Sequence, residues 1–238
     1  MIASVVHPAD SGLYRAGGIS AMVLGVSYVV TIVAYVLAGA PPNNEAEQWL
    51  KYLSERTAAW WVILGLSVLT DLLFVPVAIS LFLALKNVNR NAMLAGAGLL
   101  ITFAFLDLAV TWPNYASLIG LSVQYTSATN DGLRTHVIVT AAQYPAAVLN
   151  SSLVGVYAIL IPSLGNLIIG LVMLKGDFSK LTAYLAVMSG ILGVVAVVGP
   201  HFARVLGLAI VIGSVLTTVW VFLAGYRLYR LGRASQIQ

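Results

Sequence analysis

The chain has 238 residues, of which 60% are hydrophobic and 8% are charged. Soluble domains usually carry about 25% charged residues, so this composition excludes a soluble globular protein. No cysteine is present, which excludes disulfides, thiolate catalysis and cysteine-based metal centres. The net charge of +4 requires no nucleic-acid partner, because basic residues also mark membrane topology and contact anionic lipid head groups.

Most of the hydrophobic residues lie in six apolar segments. Each is long enough to cross about 30 Å of hydrocarbon at 1.5 Å per residue. We predict membrane spans near residues 17–39, 58–85, 92–112, 148–174, 181–199 and 204–226. The predicted fold class is therefore an all-α, polytopic membrane helix bundle that forms a single integral membrane domain over residues 1–238.

The connections between these segments differ in length and charge. Residues 40–57 and 113–147 are long, whereas 86–91 and 175–180 are short basic turns. With six spans, eight Lys and Arg residues fall on the face of the short turns and the termini, and four fall on the other face. Because basic residues are enriched in cytoplasmic loops, we predict a protein of the cell membrane with both termini in the cytoplasm.

Residues 45–56 predict a short amphipathic helix that lies flat on the outer surface. Pro41 and Pro42 cannot continue the first span, and Asn43 or Asn44 can cap a new helix. The apolar side chains fall on one side of this helix: Trp49, Leu50 and Leu53.

Residues 113–147 have mixed polarity, which predicts further short helices on the outer surface. Two alternatives stay open for the part from Thr135 onward. It could extend the fourth helix outward, or it could form an additional half-span. Trp60, Trp61 and Trp112 lie at the ends of predicted spans, where indole rings favour the membrane interface.

Two acidic residues, Asp71 and Asp107, lie inside predicted spans. Counted from the turn at 86–91, both are ~22 Å from the cytoplasmic end of their helices. An acid near the bilayer centre costs about 2.5–3.5 kcal/mol, so such residues usually face protein or water. Two acids that approach closely do not both ionise cheaply, and we expect at least one to be protonated at neutral pH.

Polar residues of the first span reach a similar depth. Ser27, Thr31 and Tyr35 recur at four-residue steps and so form a stripe on one helix face. We predict a cavity between the first three spans, with a ligand or proton site formed by Asp71, Asp107, Tyr28, Thr31 and Tyr35. The alternative is structural: each acid joins helices through Thr70, Thr111, Tyr28 or a backbone carbonyl.

Residues for catalysis do not converge in this sequence. His7, His136 and His201 share no metal-ligand spacing, and Ser151 and Ser152 lack a nearby base. We therefore predict that the protein is not an enzyme and has no catalytic residue, metal site or cofactor. The expected partners are the lipid bilayer, a small-molecule or lipid ligand, and other membrane proteins or a second copy of the chain.

Four sequence motifs, taken in chain order, resemble those of a known family. They are Arg15 to Gly18 (R-x-x-G) opening the first span, the run FVPVAISLFLALK ending the second, Asp107 in the third, and WVFLAGYRLYR ending the last. In these the chain resembles the bacterial membrane family catalogued as domain of unknown function 4386. The resemblance implies a six-span helical fold and no activity. Leu216, Thr217 and Thr218 stand where the resemblance leads us to expect an Asn-Glu pair.

The sequence favours a small-molecule or lipid-binding component of the membrane. One alternative is a proton-coupled small-molecule transporter that uses Asp71 and Asp107. The other is a non-catalytic subunit of a larger membrane complex.

Overall fold

The computed structural model of the protein describes residues 11–39, 41–42, 45–128 and 131–234. Almost all of these residues are helical, and no strand occurs among them. Within this part of the chain, five helices are long and apolar enough to cross a membrane: Ser11–Ala38, Thr57–Ser127, Ser152–Met173, Lys180–His201 and Arg204–Arg233. The fold class is thus all-α, with several helices of membrane length.

The helices are named here in chain order. They are α1 (Ser11–Ala38), α2 (Ala46–Ser54), α3 (Thr57–Leu106), α4 (Trp112–Ser127), α5 (Gly132–Leu149), α6 (Ser152–Val154), α7 (Ile161–Met173), α8 (Lys180–Val198) and α9 (Ala209–Ala234). Two π-helical turns join neighbouring helices: Asp107–Thr111 between α3 and α4, and Gly155–Leu160 between α6 and α7. Short 3₁₀ turns, Gly199–His201 and Arg204–Leu208, separate α8 from α9.

Helix α3 folds back on itself at Asn89, whose backbone is extended with φ −158° and ψ 96°. A straight helix from Thr57 to Ser127 would be roughly 105 Å long, but the two halves of α3 pack against each other instead. The rings of Phe74 and Phe103, one from each half, lie 5.5 Å apart edge to face. The Asn89 side chain accepts a hydrogen bond from the Ala92 N–H, as an N-cap does. The predicted turn at 86–91 is confirmed, although only Asn89 leaves the helical conformation.

The long helices form a closed ring. Helix α1 packs against α9 and α3, α3 packs against α7, α7 against α8, and α8 against α9. The first half of α3 is the half that meets α1, since Ser80 Oγ donates to the Leu13 carbonyl at 2.8 Å. The second half meets α7, where the Cα of Gly96 faces Ile169 and Gly165. Six helical segments therefore surround a common interior.

Backbones approach closely where α1 crosses α9. A methyl group at Gly18 would lie 2.5 Å from the Tyr229 nitrogen and 2.8 Å from the Gly225 carbonyl oxygen. Lipid tails are as apolar as helix surfaces, so helices in a membrane associate mainly through close packing and hydrogen bonds, which small residues allow. Gly18 and Gly225 are the small residues that allow the backbones of α1 and α9 to approach closely.

Helices α2, α4 and α5 pack together at the end of the ring where α1 ends and α3 begins. We call these three helices the cap. Their shared hydrophobic cluster includes Trp49, Leu50, Leu53, Trp60, Ile63, Leu118, Ile119, Ile138 and Ala142. On the outer rim, the Tyr125 hydroxyl donates to the Glu47 carboxylate at 3.0 Å and so joins α4 to α2.

The cap corrects the prediction for the amphipathic segment. A helix does occupy Ala46–Ser54, within the predicted range 45–56. Its apolar side chains, however, are covered by α4 and α5 rather than laid on lipid. Lys51 pairs with Glu47 at 2.7 Å, and this contact, together with the Tyr125 hydroxyl, holds the pKa of Glu47 below its usual value. The predicted capping residues, Asn43 and Asn44, lie outside the described residues, as does His7.

The structure also corrects two predicted boundaries. The third helical segment does not end at Trp112, because it continues through a π turn into α4 and reaches Ser127. The short surface helices predicted for 113–147 are replaced by this extension and by the 18-residue helix α5. The fourth apolar helix starts at Ser152 rather than near 148, because a turn at Asn150 and Ser151 interrupts the helical conformation.

A proline is the second residue after each π turn: Pro113 after Asp107–Thr111 and Pro162 after Gly155–Leu160. A proline inside an α-helix removes one backbone hydrogen bond and clashes with the carbonyl four residues earlier. The wider π turn relieves this clash, so the helix passes through the proline without ending. This explains why Pro113 does not terminate the third segment.

The contact at Gly18 predicts the effect of adding one methyl group. Gly18→Ala is expected to lower the free energy of unfolding by about 1–3 kcal/mol, the usual cost of overpacking. Gly65→Ala is the matched control, because a methyl group there meets nothing within 4 Å; it should leave stability unchanged or raise it by up to about 1 kcal/mol. Thermal unfolding of both variants in detergent measures the difference. Equal melting temperatures would contradict the close contact of α1 with α9.

Candidate functional site

The two acidic residues lie inside the protein, with 2% of Asp71 and 6% of Asp107 exposed. They come from opposite arms of the hairpin that folds at Asn89, and they are equally far from it in sequence. Antiparallel packing therefore puts them at a similar level. The two carboxyl groups are close enough to interact electrostatically.

Asp71 has a specific partner. The indole nitrogen of Trp112 donates a hydrogen bond to Asp71 Oδ2 at 2.6 Å. The sequence predicted that Trp112 would lie at the membrane interface, but its side chain is buried. A buried indole N–H requires an acceptor, and Asp71 supplies it across the hairpin. This bond agrees with the structural alternative for Asp71, with a partner that sequence reasoning did not identify.

Asp107 is less completely bonded. Among the described residues, no hydrogen-bond partner is found for its buried Oδ1 atom. Its carboxyl group interacts with the hydroxyl of Thr111, and that hydroxyl lies 3.0 Å from the Tyr157 hydroxyl. Asp107 and Thr111 belong to one π turn and Tyr157 to the other. The two π turns thus meet beside the acid, and π turns are often found at functional sites.

Aromatic rings cover the acids on the side of the cap. Trp60 stacks on Tyr115 with ring centroids 4.9 Å apart, and Trp112 stacks on Tyr115 at 5.6 Å. Tyr35 of α1 meets Trp60 edge to face at 5.6 Å. These rings join α1, α3 and α4, so they hold the cap to the ring on the cap side of the acids.

A cavity of about 290 Å³ lies within the ring of helices. Its lining includes residues of α1, both halves of α3, α7, α8 and α9. The polar residues among them are Tyr28, Thr31, Tyr35, Ser163, Asn166, Ser189, Ser214, Thr217 and Thr218. Among the described residues that line the cavity, none is charged. The cavity therefore fits an uncharged molecule better than an ion.

The predicted site divides into two parts in the structure. Tyr28, Thr31 and Tyr35 line the cavity, whereas Asp71 and Asp107 do not. The predicted cavity among the first three spans, lined by both acids, is thus wrong in its extent and in the place of the acids. Phe74 and Phe103 line the cavity one helical turn from Asp71 and Asp107 and on the same helix faces. The acids therefore lie one turn closer to the cap, beyond the residues that line the cavity.

Two buried atoms in the cavity wall need a hydrogen-bond partner. Thr31 is 8% exposed and Asn166 is 5% exposed. Within the described part of the chain, Thr31 Oγ1 and Asn166 Oδ1 have none. Leaving such an atom unpaired costs about 1–3 kcal/mol. Both residues line the cavity, so a polar group inside it would relieve this cost.

The serine hydroxyls of the cavity and the hydroxyls of Thr217 and Thr218 bond to their own helices. Ser163 donates to the Ile159 carbonyl at 2.6 Å, and Thr217 donates to the Gly213 carbonyl at 2.9 Å. Their oxygens remain acceptors toward the cavity. Sequence reasoning missed Asn166, although the signal was visible, since it is the one side-chain amide in the apolar run of α7.

Comparisons with known proteins found no match: no family model, no curated protein and no solved structure matches this chain. The resemblance to the family of domain of unknown function 4386 stays a prediction from its sequence motifs.

The bond from Trp112 predicts different outcomes for two substitutions of Asp71. Asp71→Asn keeps an oxygen acceptor for the indole N–H and should change stability little. Asp71→Leu removes the acceptor and should lower the free energy of unfolding by about 1–3 kcal/mol. Asp177→Leu, at an exposed loop position, is the control and should have little effect. Thermal unfolding in detergent makes the comparison; if Asn destabilises as much as Leu, the carboxyl group is not acting as a simple acceptor.

Proposed function

We propose that this protein is a multi-pass membrane protein that binds a small uncharged molecule or a lipid inside its ring of helices, and that it is not an enzyme. The observation that carries the proposal is the pair of buried, unpartnered atoms in the cavity wall, Thr31 Oγ1 and Asn166 Oδ1. The volume of about 290 Å³ is close to the lower end of the ~300–1,000 Å³ typical of ligand pockets.

The chemistry of the lining supports a binding role over a catalytic one. Hydroxyl, phenol and amide groups face the cavity, and these groups orient a ligand by hydrogen bonds. A reaction would need a nucleophile beside a base, or a metal. Within the residues that the structure describes, no group of three potential metal ligands occurs.

We infer six membrane crossings. The first arm of the hairpin runs from Thr57 to Asn89, and the second arm continues from Asn89 through the π turn into α4. Each arm has more than the roughly 20 residues needed to cross the hydrocarbon, so the helix Thr57–Ser127 supplies two crossings. With α1, α7, α8 and α9 this makes six, which leaves both termini on one side. The excess of Lys and Arg on that side favours a cytoplasmic location for the termini in the cell membrane, with the cap outside.

This topology predicts which labels are reached in intact cells. A cysteine at position 131, an exposed position just before α5 of the cap, should react with a membrane-impermeant maleimide. The label reports on this position alone, because the natural sequence has no cysteine. A cysteine after Gln238 should react only once the membrane is opened. Labelling of the C-terminal cysteine in sealed cells would sink the six-crossing proposal.

A second candidate function is proton-coupled transport. It is favoured by Asp107, whose buried Oδ1 atom has no hydrogen-bond partner among the described residues. Tyr35 lies near Asp107 and also lines the cavity. Loss of proton-dependent uptake in a stable Asp107→Asn variant would favour this function. The role of a non-catalytic subunit, with another membrane protein or a second copy as partner, stays a further alternative.

The binding proposal predicts the behaviour of cavity variants toward an uncharged alcohol. A diazirine-bearing octanol should label residues of the cavity in membranes, and excess octanol should compete. Asn166→Leu should reduce this labelling roughly three- to twentyfold, the range expected for one hydrogen bond between groups in a membrane. Gln143→Leu, an exposed change in α5, should leave it unchanged. Labelling confined to lipid-facing residues such as Val36 and Leu37 would refute the cavity as a site.

A further inference from the structure

A second hollow adjoins the cavity on the outside of the ring. It is a groove of about 260 Å³ between α1 and α9, and it is lined by Gly25, Val26, Val29, Thr218, Val219, Phe222 and Leu223. Apart from Thr218 these residues are apolar. Thr218 also lines the cavity, so the polar-lined interior and the apolar groove meet at this residue.

The groove faces the surroundings of the protein. Val26 is 56% exposed and Val29 is 53% exposed, and both lie on a helix that is long and apolar enough to cross a membrane. In a bilayer these side chains therefore contact lipid tails. Helices α1 and α9 leave the groove open because their closest approach, at Gly18 and Gly225, lies farther from the cap.

The two hollows have a fixed order along the helices. On α1, which runs toward the cap, the groove is lined by residues 25–29 and the cavity by residues 28–35. On α9, which runs away from the cap, the cavity comes first, at 210–218, and the groove follows, at 218–223. The polar hollow is thus nearer the cap, and the apolar hollow is nearer the middle of the membrane.

We propose that the ligand is a single-chain, uncharged lipid with a hydroxyl or ester head, taken from the leaflet on the side of the cap. Its head occupies the cavity, where Thr31 and Asn166 bond to it, and its chain passes Thr218 into the groove. This order of head and chain is that of a lipid in the cap-side leaflet. A charged head is excluded because no charged residue lines the cavity. The inference rests on the proposed binding function and specifies its ligand class and orientation.

The experiment uses a long-chain monoacylglycerol as competitor against the diazirine-bearing octanol. Val29→Trp fills the groove while changing a lipid-facing position, so folding should be preserved. We expect it to weaken competition by the monoacylglycerol at least about threefold, because packing in the groove is lost, and to leave competition by octanol unchanged. Val33→Trp is the control, since Val33 is equally exposed but lines neither hollow.

The outcomes separate the two proposals. If Asn166→Leu reduces octanol labelling as expected but Val29→Trp leaves monoacylglycerol competition intact, the cavity is a site and the groove is not part of it. If Asn166→Leu has no effect, the binding function itself fails. A lysophospholipid, whose head is charged, should compete at least about threefold more weakly than the monoacylglycerol in the wild-type protein; equal competition would overturn the uncharged head.

Discussion

The antiparallel packing of the two halves of α3 is the constraint on which the other features depend. It puts Phe74 against Phe103 and Trp112 within hydrogen-bonding distance of Asp71. The first half carries the contact with α1, and the second half carries the contact with α7, so the hairpin joins both sides of the ring. Because the second half continues into α4, the same hairpin also positions the cap. Asn89 makes this possible by ending one helical arm and capping the next.

The hydrogen bond between Trp112 and Asp71 gives this packing a specific register. An acid in a membrane is expensive unless it faces protein and has a partner. Sliding one arm past the other would remove the indole from the carboxyl group and leave both unpaired. The acid therefore favours a single alignment of the hairpin, whatever further role it has. Asp107 lacks such a complete set of partners among the described residues, and the two acids differ in this respect.

Much of the fold could be predicted from the sequence because length and hydrophobicity act through simple geometry. The turn at 86–91 and the equal depth of Asp71 and Asp107 follow from counting residues along a helix. The extent of the cavity along the helices does not follow, since Asp71 and Phe74, like Asp107 and Phe103, lie one turn apart on the same face of their helix. The acids were therefore expected in the cavity that the phenylalanines line. Asn166 was missed for a related reason: one amide in an apolar run has no periodicity.

The boundary error at Trp112 has a different origin. The sequence changes to mixed polarity after Trp112, and a proline inside an α-helix usually marks its end. A π turn before the proline avoids the clash with the preceding carbonyl, but nothing in the sequence of Asp107–Thr111 indicates such a turn. The burial of α2 was missed because its covering helix, α4, was not expected. One unrecognised turn thus accounts for most of the difference in the cap.

The two π turns also have a consequence for insertions and deletions. Each π turn holds one residue more than the α-helical turn it replaces, and one α-helical residue corresponds to about 100° of rotation and 1.5 Å of rise. A π turn uses about five residues for one rotation, where an α turn uses about four. Deleting a single residue within Asp107–Thr111 would therefore restore α geometry and leave the rotation of α4 nearly unchanged. Deleting one residue from the α-helical part of the second arm would instead rotate α4 by roughly 100° and turn Tyr115 away from Trp60. The π turn thus marks the position in this arm that tolerates a one-residue deletion, and the Thr111–Tyr157 hydrogen bond links it to the corresponding turn before α7.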